Sequence, residues 1–246
     1  MNKFLLATVA LSALVAAPAM AADLARPVNK AAPPVYVYSW TGCYIGGNGG
    51  YGWSRDCRRN LNTGADLGCY DATGGVAGGQ IGYRWQQAGW VFGLEAQGDW
   101  ADLKGSALNQ AIASPALTRI GSKMDAFGLF TGQIGYAWNN ALLYVKGGAA
   151  VTDRRFDYFN NATGALTAST GFATRWGGTI GAGLEYGFAP NWSAAVEYDH
   201  IFEGKHDVVF TTPSGTALTG RTSGGDTDLI TARINYHWGA PVVAKY

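Results

Sequence analysis

The chain has 246 residues, with 18 Lys and Arg against 17 Asp and Glu, and only 14% of it is charged while 48% is hydrophobic and 13% aromatic. Near-neutrality gives no sign of nucleic acid or an anionic surface as partner, and a charged fraction far below the roughly 25% of ordinary soluble domains leaves too few charges to coat a water-exposed surface. Beyond the first 21 residues no run approaches the about 20 apolar residues of a membrane helix, so any membrane contact has to be made by strands.

The chain opens with Met1-Asn2-Lys3, an apolar run from Phe4 to Ala17 and the small-x-small site Ala19-Met20-Ala21. This is a secretory signal, too short to span a bilayer, with Ala22 as the first mature residue. Its removal takes away Lys3 alone, leaving 17 basic against 17 acidic residues. Residues 22–39 carry Pro27, Pro33 and Pro34 without alternation and read as an unpaired leader.

From Trp40 onward one strand-end pattern returns four times, as Ile81-Gly82-Tyr83-Arg84-Trp85, Ile134-Gly135-Tyr136-Ala137-Trp138, Leu184-Glu185-Tyr186-Gly187-Phe188 and Ile234-Asn235-Tyr236-His237-Trp238. The aliphatic, Tyr and Trp or Phe members are two residues apart and share one strand face. Units of about 50 residues each hold two strands, so four units predict eight, a number that closes into an up-and-down antiparallel barrel. Strand one is expected over about 40–53, strand two over 74–85 and strand three over 90–100. A turn at Gln87-Ala88 pairs Trp85 with Trp90, Ile81 with Leu94 and Arg84 with Val91. A turn at Asn139-Asn140 pairs Trp138 with Ala141, Ile134 with Val145 and Gln133 with Lys146. A turn around Ala189-Pro190-Asn191 pairs Phe188 with Trp192 and Tyr186 with Ala194.

The other connections, 54–73, 101–123, 153–172 and 203–226, are long and polar. Short turns at one rim and long loops at the other are the signature of a bacterial outer-membrane barrel, with the long loops outside the cell. On that orientation Trp40, Trp85, Trp90, Trp138, Trp192, Tyr236 and Trp238 lie at the periplasmic interface, and Trp53, Trp100 and Trp176 near the outer one, where an apolar ring with a polar N–H is favoured.

The opposite strand face carries Arg84, Glu95, Asp99, Lys146, Arg175, Glu185, Glu197, Asp199 and Arg233, and these are expected to form an ionic network that fills the lumen, because a charge facing lipid at mid-depth costs about 2–4 kcal/mol. Cys57 and Cys69 fall in the first long connection and are expected to form a disulfide closing about 13 residues, worth roughly 3 kcal/mol in the chain-entropy model; Cys43 faces lipid and is left over. Gly47-Asn48-Gly49-Gly50-Tyr51-Gly52 matches a dinucleotide fingerprint but lies within a strand, with no helix to hold a pyrophosphate. His200 and His206 bracket the outer end of strand seven without an identifiable nucleophile and orienter. No catalytic group, cofactor site or metal ligand set is assigned.

Ser39-Trp40-Thr41-Gly42-Cys43-Tyr44-Ile45-Gly46-Gly47-Asn48, the strand end at 134–138, Pro190-Asn191-Trp192-Ser193 with Val196-Glu197-Tyr198, and Asn235-Tyr236-His237-Trp238 together resemble the small OmpA-like outer-membrane β-barrel proteins of alphaproteobacteria, described as porin-family proteins or surface antigens. The resemblance spans nearly all of the mature chain. It implies contact with outer-membrane lipids and insertion by the outer-membrane assembly machinery, guided by an aromatic-ended last strand. The expected organisation is signal peptide 1–21, periplasmic leader 22–39, barrel 40–238 and tail 239–246. The expected function is structural and surface-interacting, with no enzyme activity and with the four loops as the place for an extracellular ligand. A narrow channel for ions or small solutes is the alternative, followed by a lipid-modifying enzyme.

Overall fold

The computed structural model describes residues 36–59, 66–108, 118–160, 162–204, 206–211, 215, 217–222, 225–238 and 242–243. The leader up to residue 35 lies outside the described residues. In chain order the strands are β1 (Tyr36–Val37), β2 (Gly42–Arg59), β3 (Asp66–Gln87), β4 (Trp90–Leu108), β5 (Thr118–Trp138), β6 (Ala141–Asn160), β7 (Leu166–Ala189), β8 (Trp192–Phe202), β9 (His206–Thr211), β10 (Ala217–Thr222), β11 (Thr227–Trp238) and β12 (Val242–Val243). β2 to β8 and β11 form an antiparallel wall of eight strands, closed where β11 pairs with β2. Starting at Tyr44 and stepping from partner to partner around the wall leads through Gly82, Glu95, Thr131, Gly148, Thr179, Ile201 and Thr227 to Ser54, ten residues further along β2. This stagger and strand number give an interior that side chains can fill.

Alternation sets the two faces. In β8 and β11 every second residue is buried and those between are largely exposed, and the exposed face carries Ile134, Val145, Leu184, Val196 and Ile234. Large apolar side chains on the outside and charged ones inside invert the arrangement of a water-soluble protein and suit a lipid solvent.

Two of the three short turns differ from the sequence-based expectation. The first is Ala88-Gly89, not Gln87-Ala88: Gln87 stays in the ladder opposite Trp90, so Trp85 meets Phe92, Ile81 meets Ala96 and Arg84 meets Gly93. Ala88 takes φ 54°, the positive φ that the first central residue of a two-residue hairpin turn requires. The pairing moves by two positions, which leaves every side chain on its expected face. At the third turn Tyr186 does oppose Ala194, but Ala189, not Phe188, opposes Trp192, and the ladder shifts register between Gly187 and Ala189. The second turn pairs Trp138 with Ala141, Ile134 with Val145 and Gln133 with Lys146, with Asn139 at φ 53°.

The long connections are loops for only part of their length. β2 and β3 stay paired to Arg59 and Asp66, β4 and β5 to Leu108 and Arg119, and β6 and β7 to Phe159 and Leu166. In 203–226 the β9–β10 hairpin joins the rim by pairing with β7 and β2. Polar composition predicts loop there, but a ladder above the membrane needs no apolar outer face to keep its hydrogen bonds.

Candidate functional site: a layered lumen

The lumen consists of four layers among the described residues, built by inward positions of successive height. In the innermost layer Arg84 pairs with Glu185 at 2.9 Å, both side chains fully buried. Arg84 also donates to Gln133 Oε1 at 3.2 Å and lies 4.4 Å from the Tyr44 ring centre. Glu185 accepts from Asn235 at 2.9 Å and from the Ser193 hydroxyl.

In the second layer the Lys146 ammonium contacts Glu197 at 2.7 Å, Asp199 at 3.2 Å and Glu95 at 3.3 Å. Arg233 forms ion pairs with both Glu95 and Glu197. The Tyr44 hydroxyl donates to Glu95 at 2.7 Å, and Tyr144 donates to Glu197. Each charge therefore has opposite charges or hydroxyls around it, which offsets much of the cost of removing it from water.

Above these charges lies an apolar layer of Leu103, Met124, Phe127, Leu129, Ile201 and Leu229, with smaller side chains between them. Beyond it Arg154 pairs with Glu203 at 3.0 Å and donates to Ser54 at 3.1 Å. Sequence reasoning missed this layer, although its signal is present: Leu129 and Leu229 share a face with Thr131 and Thr231, two residues away on the same strands.

The expected ionic residues are all placed. Arg84, Glu95, Lys146, Glu185, Glu197, Asp199 and Arg233 belong to the two inner charged layers. Asp99 is buried in the lumen and accepts from Gln97 at 2.8 Å. Arg175 is half-buried near the outer rim with its guanidinium 5.4 Å from the Phe156 ring centre.

Of the aromatics, Trp53, Trp85, Trp90, Trp100, Trp138, Trp176, Trp192 and Trp238 face outward and Tyr236 is half-exposed. Trp40 contradicts its expected interface position. It is 0% exposed and sits inside the inner mouth, 4.6 Å from Tyr38 and 5.8 Å from His237 between ring centres, and 5.7 Å from the Arg84 guanidinium. It precedes Gly42, where the wall begins, so strand alternation does not govern its direction. Burial there pushes the Tyr38 phenol up to about 12. Cys69 is disulfide-bonded and stands opposite Cys57 in the ladder, whereas Cys43 is free and exposed.

Two histidine clusters bear on catalysis. His237 Nε2 lies 2.9 Å from Ser193 Oγ and 3.3 Å from Glu185 Oε1. Serine and carboxylate thus share one ring nitrogen, whereas a nucleophile–base–orienter relay uses both, and Tyr38 and Trp40 cover the cluster. On the outer face His200 Nδ1 lies 2.7 Å from Asp228, the placement of a base and its orienter. The residues sharing its strand face two positions away are Tyr198, whose hydroxyl is bound to the same carboxylate, and Phe202. The side chain of His206 lies outside the described residues.

A closed eight-stranded barrel with an apolar exterior and a charged interior is a transmembrane β-barrel of the outer-membrane class. The chain belongs to the outer membrane protein beta-barrel domain family, whose pattern it matches over residues 7–237, and its place is the outer membrane of a Gram-negative bacterium. It is 34% identical over 228 residues to the 31 kDa outer-membrane immunogenic protein of Brucella melitensis, covering 85% of this chain and 90% of that one. It is 32% identical over 162 residues to a 22 kDa outer membrane protein of Rhizobium leguminosarum, covering 65% of this chain and 63% of that one. Its fold is similar to that of the outer membrane protease OmpT from Escherichia coli, with a TM-score of 0.53 at 9% identity over 83% of this chain and 99% of that one; at that identity the likeness is one of fold alone.

Proposed function

We propose that the protein is a closed wall element of the outer membrane, whose interior stabilises the barrel and whose outer rim carries surface interactions. The carrying observation is the apolar layer of Leu103, Met124, Phe127, Leu129, Ile201 and Leu229 across the lumen, above charges that are themselves paired. An ion crossing it would lose hydration without gaining a ligand. Paired strands carry polar side chains to the rim at Arg55–Asp71, Lys104–Asp102 and Arg155–Asp157, and ion pairs on a rigid ladder give a partner fixed hydrogen-bonding groups. The Brucella relative is named as immunogenic, which fits a rim presented outside the cell. The absence of an assembled nucleophile relay among the described residues favours a non-enzymatic role.

Reconstitution into planar bilayers tests this reading. The wild type is expected to show no steady conductance, and a Leu129→Ser/Leu229→Ser variant to conduct measurably once Tyr38→Ala/Trp40→Ala also opens the inner mouth. Stable ion-selective wild-type channels would replace this reading with a narrow pore.

A further inference from the structure

The two ends of the lumen are closed by different means. The outer closure is made of wall residues, whereas the inner one is made by chain that precedes the wall. Trp40 and Tyr38 pack into a buried cup with Val91, Ala137, Leu142 and Tyr144, and both rings meet His237 edge-on. Gly187 makes room for the Tyr38 ring, because a Cβ there would collide with it.

We propose that the segment from Tyr36 to Thr41 is a withdrawable plug of the periplasmic mouth, a seal that can leave without breaking a hydrogen bond between wall strands. The proposal rests on the closed-lumen reading above. Two hydrogen bonds attach the segment to the wall among the described residues: the Trp40 amide donates to Gln86 Oε1 at 3.0 Å, and the Gln86 amide donates to Thr41 Oγ1 at 2.9 Å. Its upstream end is clasped by the other end of the chain, as β1 pairs with β12 through Tyr36 with Val243 and Val37 with Val242. A two-residue ladder is a weak fastening, so what holds the plug is mainly the aromatic packing. When the segment leaves, water from the periplasm reaches the Arg84–Glu185 pair and the cup beneath it, while the apolar layer keeps the barrel shut. The result is a blind, water-filled pocket open to the periplasm, with an aromatic wall and a guanidinium at its floor.

Cysteine accessibility tests this in the folded full chain. In a Cys43→Ser background, Ala137→Cys reports on the cup and Leu229→Cys on the apolar layer. The probe is a small cationic methanethiosulfonate, and heat-modifiable migration verifies folding. With the plug intact, Ala137→Cys should react slowly. Adding Tyr38→Ala/Trp40→Ala should speed it at least 10-fold while Leu229→Cys stays slow. Gly187→Ala, which displaces Tyr38 and leaves the segment's sequence unchanged, should act in the same direction and serves if the double variant does not fold. Fast reaction at Ala137→Cys with the plug intact overturns the proposal, as does an unchanged slow rate in folded plug variants. Fast reaction at Leu229→Cys in the otherwise intact protein overturns the closed-lumen reading instead.

Discussion

The first four wall strands, β2 to β5, and the last four, β6 to β8 with β11, place the same residues at corresponding points. Tyr44 lies opposite Gly82, which opposes Glu95, which opposes Thr131; Tyr144, Gly183, Glu197 and Thr231 repeat the series. On the outer face Trp90 corresponds to Trp192, Ile134 to Ile234, Tyr136 to Tyr236 and Trp138 to Trp238. The halves diverge in the inward charges. Arg84 corresponds to Glu185, Gln133 to Arg233, Gln97 to Asp199 and Gly46 to Lys146, and Arg84 and Glu185 are each other's partner. What the halves share is the packing skeleton, a tyrosine over a glycine beside a glutamate. What they do not share is the charge pattern, because two identical halves would set like charges against each other in one narrow lumen.

The strongest way to break this comparison is Arg84→Glu, which places two carboxylates together with no water between them and should cost about 3–5 kcal/mol of stability, read as a lowered urea midpoint in heat-modifiability assays. Exchanging both residues, Arg84→Glu with Glu185→Arg, should recover part of that loss; no recovery would mean that the two positions are not equivalent. On the lipid face Ile134→Arg and Ile234→Arg should each cost about 2–4 kcal/mol, the cost of a cation near the midplane, and a clear inequality between them would show that the halves sit at different depths.

The skeleton itself is tested by Gly82→Ala and Gly183→Ala. A Cβ at either would lie 2.5 Å from the tyrosine ring and hydroxyl of its own half, so each should cost about 1–3 kcal/mol by overpacking, and the two should agree within about 0.5 kcal/mol. The smallest effect is expected from Trp138→Ala and Trp238→Ala, both half-exposed at the membrane edge: about 1 kcal/mol or less each, measured in lipid vesicles.

The repeat at 81, 134, 184 and 234 made the strand number legible, and parity made the faces legible, because each depends only on neighbours along the chain. Within that frame Arg84, Glu95, Lys146, Glu185, Glu197 and Arg233 could be sent inward. Their pairing could not be read, because residues as far apart as Glu95 and Arg233 meet only through closure and its stagger. The exact turn at Ala88-Gly89 was missed for a related reason: a shift of two residues leaves every face unchanged, so alternation carries no information about it.

The sequence by itself determined the compartment, the all-β class, the eight strands and the inside and outside of the wall, since signal composition, charge scarcity and two-residue periodicity are local properties. Only the tertiary structure decided that the polar connections stay paired above the membrane, that the lumen is layered with an apolar layer over its charges, and that Trp40 turns inward. Trp40 carries the same chemistry as the outward tryptophans. Its burial follows from lying just before the closed wall, where the open mouth offers the Tyr38 and His237 rings and the Arg84 guanidinium, and no local pattern encodes that neighbourhood.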